Sequence, residues 1–432
     1  MPSECFSKRN NRTPAVTDER LVSMKKLSGS VAVILAAATL AACGSGSSGS
    51  SSGGGDITIG SVHPLTGDLA GAGGLMNDGA KLAVADINAA GGIKSLDGAK
   101  LKLGEGDSKG TAETGQSEAQ RLISDGAVAL VGTYQSDVTQ NVAAVAERAK
   151  VPLVIDVAVD DQILQQGYKN TFRIQPDATS MGTSGADALI AMGQQSKNPV
   201  KSVSYIHIEG AFGQSVFDAF KKEAESKGVT VAKEVTYPAT NFTDATTQVR
   251  EAAAAKPDVI VDTGYYPDSL LVAKSVEALK PDIKALYGVA NGAFDDGSFP
   301  GDAGAAGEGV LSANYHYAAT SKRVADIRKR FEAKYGKPME TASVLSYQAV
   351  DVVAAALEKA KSKDPAKIRD AIAGISISAP LLAFDGPITF DKTGQNENAT
   401  VIVMQVAKGQ VEQVFPKKFR TADLVFPAST AK

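Results

Sequence analysis

The chain predicts an α/β protein built from doubly wound, mostly parallel sheets. Three observations carry that expectation. From Asp56 onward, short apolar runs alternate with longer amphipathic ones, the signature of repeated βα units. The first unit has a small, Gly-rich connection of the kind found at the carboxyl end of a parallel strand. A chain of 432 residues with cysteines only at Cys5 and Cys43 must rest on buried apolar surface rather than disulfides.

Taken in order, residues 57–62 (ITIGSV) alternate as a strand does. A polar loop over 63–74 follows, then a helical pattern through Leu75, Met76, Ala80, Leu82, Ala83 and Ile87, stopped by Gly91-Gly92. The glycines suit close backbone approach, and the helix N-terminus suits an anion. Strands are then predicted over 101–104, 127–131 and 152–155, with helices over 111–124 and 138–149. A second series places strands at 203–208, 229–235, 259–261 and 285–288, with helices at 181–192, 212–226, 245–255 and 269–279. Two further helices fall at 324–335 and 342–360, and two final strands at 401–406 and 411–414.

The N-terminal region reads differently. Lys25-Lys26 precede an apolar stretch over 31–42, too short to span a bilayer comfortably and shaped like a signal peptide. Leu40-Ala41-Ala42-Cys43 looks like a bacterial lipobox with Cys43 as the lipidation site, which makes Met24 a candidate initiator. Residues 44–55 are all Gly or Ser, a flexible tether.

Charge excludes some partners. Residues 1–43 hold six of the 45 basic and three of the 48 acidic residues, so the remainder carries a net charge of −6 with both signs interspersed. Neither a basic stripe for nucleic acid nor a second long apolar run is present. Catalysis also lacks a motif. The histidines, His63, His207 and His316, are far apart, and there is no His-Glu-x-x-His, phosphate loop or nucleophile elbow. The chain reads as a non-enzyme without cofactor or metal.

Val62-x-Pro64-Leu65-Thr66-Gly67, followed by Gly79-Ala80 and Asp86-Ile87-Asn88-x-x-Gly91-Gly92-Ile93, resembles the opening of the leucine/isoleucine/valine-binding family of periplasmic binding proteins. The run Phe384-Asp385-Gly386-Pro387-Ile388-Thr389-Phe390-Asp391 is similar to a later family signature. The resemblance implies a two-lobed type I periplasmic-binding-protein fold, with a three-segment hinge crossed near 167–173, 315–317 and 381–388. It assigns 56–174 and 318–383 to lobe 1, and 175–317 and 384–425 to lobe 2. It further implies a monomeric, lipid-anchored component of an ABC importer outside the cytoplasmic membrane, handing a small solute to permease subunits. A sensing module for a membrane receptor would have the same soluble sequence.

Site residues follow from the same resemblance. Ser136, and more loosely Tyr134, match the turn that grips a ligand carboxylate, although Ser136 or Asp137 could simply cap the following helix, with Gln140 completing a capping box. Ala158 matches a backbone contact, and Asp160 stands near an expected hydroxyl. Phe212 and Tyr265 match aromatic walls of the second lobe. The family's acid for an α-ammonium is replaced, Ala290 and Asn291 occupying its place, so Asp160 or Asp262 would have to substitute. An amide or simple carboxylate ligand is the alternative to an amino acid.

Overall fold

The computed structural model describes residues 55–428. Cys43, its signal segment and the tether up to residue 54 lie outside the described residues. The first series runs β1 (Ile57–His63), α1 (Ala70–Ala89), β2 (Leu101–Asp107), α2 (Ala112–Ser124), β3 (Ala127–Gly132), α3 (Ser136–Ala149), β4 (Leu153–Ile155), α4 (Gln162–Gln165) and β5 (Thr171–Arg173). The second runs α5 (Ala178–Gln195), β6 (Ser202–Ile208), α6 (Ala211–Ser226), β7 (Thr230–Tyr237), α7 (Thr246–Ala254), β8 (Val259–Thr263), α8 (Tyr266–Leu279), β9 (Ala285–Val289), α9 (Phe299–Ala303) and β10 (Leu311–Asn314). Then come α10 (Lys322–Tyr335), α11 (Thr341–Ala360), α12 (Pro365–Ala373), β11 (Ile402–Ala407) and β12 (Gln410–Phe415).

The first sheet has the order β2-β1-β3-β4-β5, all parallel. The second has the order β12-β11-β10-β9-β8-β6-β7; its first five strands in sequence repeat the arrangement of the first sheet, and β11 adds antiparallel to β10 and β12. Each sheet therefore reverses direction beside its first strand, leaving a crevice at the carboxyl ends where α/β proteins bind small molecules. Strands such as Leu153–Ile155 and Val259–Thr263 are buried throughout, as parallel strands covered by helices on both faces must be.

α1 begins at Ala70, within the stretch predicted as loop, so the polar loop is shorter than its composition implies. The reason is packing: a Cβ on Gly73 would lie 2.0 Å from Pro64 O, so this glycine lets the first helical turn rest on the loop leaving β1. Gly79 plays the same part further along, where a Cβ would lie 2.3 Å from Ser343 O and hold α1 away from α11. The Asp86 carboxylate ties this helix pair to α10, bonding Tyr347 Oη at 2.7 Å and the Arg330 guanidinium.

The chain passes between the sheets after β5, after β10 and before β11. These crossings are bonded together. Ala318 N and Ala383 N donate to Leu381 O and His316 O, each at 2.8 Å. Arg173, 1 % exposed, donates from Nε to Gln395 Oε1 at 2.7 Å and from Nη1 to the carbonyls of Val159 and Asp160 at 2.8 Å. A buried guanidinium is tolerable only where its donors find partners, and three of its five N–H groups are bonded in this way.

Candidate ligand-binding site

A partly open cavity of about 80 Å³ lies where the carboxyl ends of the two sheets face each other. At 10–15 Å³ per water position, that is room for roughly half a dozen non-hydrogen atoms or a few more. From the first series come Tyr134 and Ser136 after β3, and Val157, Ala158 and Val159 after β4. From the second come Phe212 in the first turn of α6, Gly264 and Tyr265 after β8, Ala290–Gly292 and Asp295–Asp296 after β9, and Asn314–Tyr315 at the end of β10. Glu340, Thr341 and Ala342, at the start of α11, close the set.

Three rings connect the two sides. Tyr134 meets Tyr265 at 5.2 Å between centroids, and Phe212 stacks on the other side of Tyr265 at 5.2 Å and 28°. Each such contact contributes about 1 kcal/mol beyond the area it buries. Burial raises the Tyr134 and Tyr265 hydroxyls well above their ordinary range, so both stay neutral.

Six of the seven expected site residues line this cavity: Tyr134, Ser136, Ala158, Phe212, Tyr265 and Asn291. Asp160 does not. Its Oδ2 accepts from Gln140 Nε2 at 2.6 Å, and it faces a separate shallow pocket with Gln140, Gln162 and Lys222. Gln140 is thus drawn away from the predicted capping box. The capping expectation for Ser136 and Asp137 also yields: α3 starts at Ser136, with Gln135 as its cap residue and no side-chain cap. Ser136 Oγ instead accepts from Asp160 N at 3.3 Å, which leaves its proton to donate to a ligand oxygen beside the helix N-terminus.

Asn291 reaches the cavity edge with its amide already committed. Its Nδ2 donates to Asp262 Oδ2 at 2.6 Å and Ser269 Oγ at 2.8 Å, while Oδ1 accepts from Ala293 N and Phe294 N. Asp262 lies beneath the cavity wall rather than in it, and burial pushes its carboxyl up to about 7. Neither Asp160 nor Asp262 lines the cavity.

The acids that do line it are three residues that sequence reasoning did not single out. Asp295 accepts from Ser312 Oγ at 2.9 Å and Asn314 Nδ2 at 3.2 Å, and burial pushes it up to about 7. Asp296 accepts from Ser298 N at 2.8 Å, and Glu340 Oε2 accepts from Gly297 N at 2.9 Å. Burial, then their mutual repulsion, holds Asp296 upward; Glu340 is raised chiefly by burial and eased by Arg328. Glu340 Oε1 and Thr341 Oγ1 are buried without a protein partner. The available signal was the doublet Asp295-Asp296 between Gly292 and Gly297, beginning four residues beyond Asn291.

The sequence profile of the periplasmic binding proteins matches residues 56–410. The chain belongs to that family. A relative, the Leu/Ile/Val-binding protein homolog 8 of Brucella abortus, is 30% identical over 386 residues, covering 86% of this chain and 93% of the relative. The fold is shared with the Streptococcus pneumoniae branched-chain amino acid transporter substrate binding protein LivJ, solved with isoleucine: TM-score 0.71, 23% identity, 86% of this chain and 100% of that one. It is shared equally with a solute binding protein from R. palustris solved with benzoate: TM-score 0.72, 21% identity, 83% and 95% covered. This periplasmic binding protein has the two-lobed architecture of both, with one sheet in each lobe. Among the described residues no helix is long and apolar enough to cross a membrane.

Proposed function

We propose that this periplasmic binding protein is the solute-binding component of an ABC importer, closing its two lobes over a small organic ligand and presenting it to permease subunits in the membrane. The observation that carries this reading is the cavity between the carboxyl ends of two sheets of like strand order, walled by residues from both. An amino acid is the leading ligand. Ser136 and the α3 N-terminus offer donors to a carboxylate, the three rings offer apolar walls, and the volume suits a ligand of that size. Its Brucella relative is named for leucine, isoleucine and valine, which supports the same class. Lipidation of Cys43 would hold this monomer on the extracytoplasmic face of the membrane, with the Gly/Ser tether providing reach.

A thermal-shift series with leucine, isoleucine and valine tests the ligand class. At about a hundred times the dissociation constant, a bound ligand adds roughly 2.7 kcal/mol of stability. Small-angle scattering tests closure: a radius of gyration that stays unchanged at saturating ligand contradicts it. For the anchor, a palmitate analogue should label the wild type and not Cys43→Ala; label that survives the substitution removes the lipobox.

A further inference from the structure

The acidic side of the cavity is more heavily charged than capture of a simple carboxylate allows. Among its lining residues Asp295, Asp296 and Glu340 are acidic, and none is Lys or Arg. An adjoining outer chamber of about 390 Å³ shares Tyr134, Gly292, Asp296, Glu340 and Ala342 with it, and adds Asp68 and Asp302 against the single Lys337. Carboxylates reach the cavity from two directions: Asp295 and Asp296 from the turn after β9, Glu340 from the start of α11 in the first lobe. Glu340 is 5 % exposed and its Oε1 has no protein partner, a costly condition for a buried acceptor unless a donor arrives. No group of three or more His, Cys, Asp or Glu among the described residues is arranged to hold a metal ion. Aromatic faces stand beside the acids instead, from Tyr134, Tyr265 and Tyr315, a combination that suits an organic cation.

We propose that Asp295, Asp296 and Glu340 form a cation clamp spanning the two lobes, so that the solute carries a protonated nitrogen, and amines lacking any carboxylate are accepted while deaminated acids are refused. The inference rests on the solute-binding reading above and deepens it. A cation between Glu340 and Asp296 turns their repulsion into attraction across the cleft, so the charge that confers specificity also favours closure. The remaining groups around the cluster do not supply a competing cation inside the cavity. Arg328 reaches Glu340 only through space, its Nε donating to Met339 O at 2.9 Å and its guanidinium lying over the Tyr317 ring. Tyr134, Tyr265 and Tyr315 are held neutral by burial, and Asp268 is an acid itself.

Four probes separate the charges: leucine; 3-methylbutylamine, which is leucine without its carboxylate; 4-methylpentanoate, which is leucine without its ammonium; and benzoate. Calorimetric titration at pH 8 should give binding of leucine and 3-methylbutylamine, each at least about tenfold tighter than either acid, a difference of roughly 1.4 kcal/mol. Glu340→Gln and Asp296→Asn, neutral and nearly isosteric, should each weaken the amine about tenfold or more while leaving 4-methylpentanoate unchanged. Melting temperatures of the ligand-free variants, equal to or above the wild type at pH 8, would show that the loss is not unfolding. Either acid binding as tightly as the amine overturns the clamp, as does an amine affinity that both substitutions leave intact. Silence toward the amine at roughly 10 mM, ten times a millimolar dissociation constant, overturns it too. If the acids bind and compact the protein, the importer reading stands and only the clamp falls; if no probe changes the radius of gyration, both fall.

Discussion

The two sheets share one strand order, yet the loops after their first strands meet different fates. In the first lobe the segment between β1 and α1 stays out of the cavity, and Asp68 and Leu69, with Gly71, Ala72 and Leu75 of α1, reach only the outer chamber. In the second lobe the matching segment, between β6 and α6, is only two residues long and leads straight into the first turn of α6, which delivers Phe212 into the cavity and onto Tyr265. A topological switch point therefore says where a ligand can sit, and local packing decides which loops reach it. Gly73 resting on Pro64 makes the first loop a structural part; Phe212 gives the second connection a place in the cavity wall.

The walls differ in charge as well, and pH should expose this with the largest effect. Asp262 and Asp295, both of the second lobe, have carboxyls pushed up to about 7 by burial, from 3.8. The folded state then holds more protons than the unfolded one between about pH 4 and 7. Stability of the ligand-free protein should accordingly fall as pH rises through that window and level off above it, by about 1.4 kcal/mol per unit of displacement for each group. Asp107, Asp258 and Asp391, held low by hydrogen bonds that outweigh burial, act in the opposite sense below about pH 4, and His316, which burial lowers from 6.5 to about 3, opposes part of the fall between those values. Denaturation midpoints across pH 4–8 measure this, and Asp262→Asn should flatten the slope. A curve rising from pH 5 to 7 would contradict the buried-acid account.

Tyr265→Ala should come next, costing roughly 3 kcal/mol of stability, because the ring is packed between Tyr134 and Phe212. Ligand affinity should fall with it, and urea denaturation with calorimetry reads both. Gly73→Ala tests the structural role of the first loop: the added methyl meets Pro64 O, so about 1–3 kcal/mol of stability is lost. Gly71→Ala, with nothing within 4 Å of the new methyl, should be neutral or slightly stabilising. Ligand affinity should follow neither change once the protein is folded. The smallest effects belong to the α3 turn. Ser136→Ala should weaken an oxygen-bearing ligand by about 1 kcal/mol, and Asp160→Asn should leave its affinity unchanged.

Much of this was legible in the chain. The alternation of ITIGSV, the run AVALV and the Gly91-Gly92 stop each fixed an element close to its observed limits, because one face or both must be buried. Short pieces such as β5 and α4 carry too few residues to show a period, and went unassigned. Ser136 and Asp160 could not be told apart as candidates, since the Gln140 bond that turns Asp160 away joins positions twenty residues apart. The carboxylate cluster was harder still. Asp295, Asp296 and Glu340 look like surface acids in one dimension; only β9 ending beside the start of α11 makes them one buried group.

Arg173 has a mechanical consequence. Its guanidinium grips Gln395, from another crossing segment, and the carbonyl of Val159, which walls the cavity. Pivot and wall are therefore one bonded piece with little slack, and a small rotation there becomes a large displacement at the rim. Work done by a solute against the wall is delivered directly to the axle rather than dissipated in a soft linker. Weakening that link, as Arg173→Lys would by trading a planar fork for a shorter side chain with a single ammonium, should put play in the bearing. The lobes would then swing through a wider arc for the same bound solute.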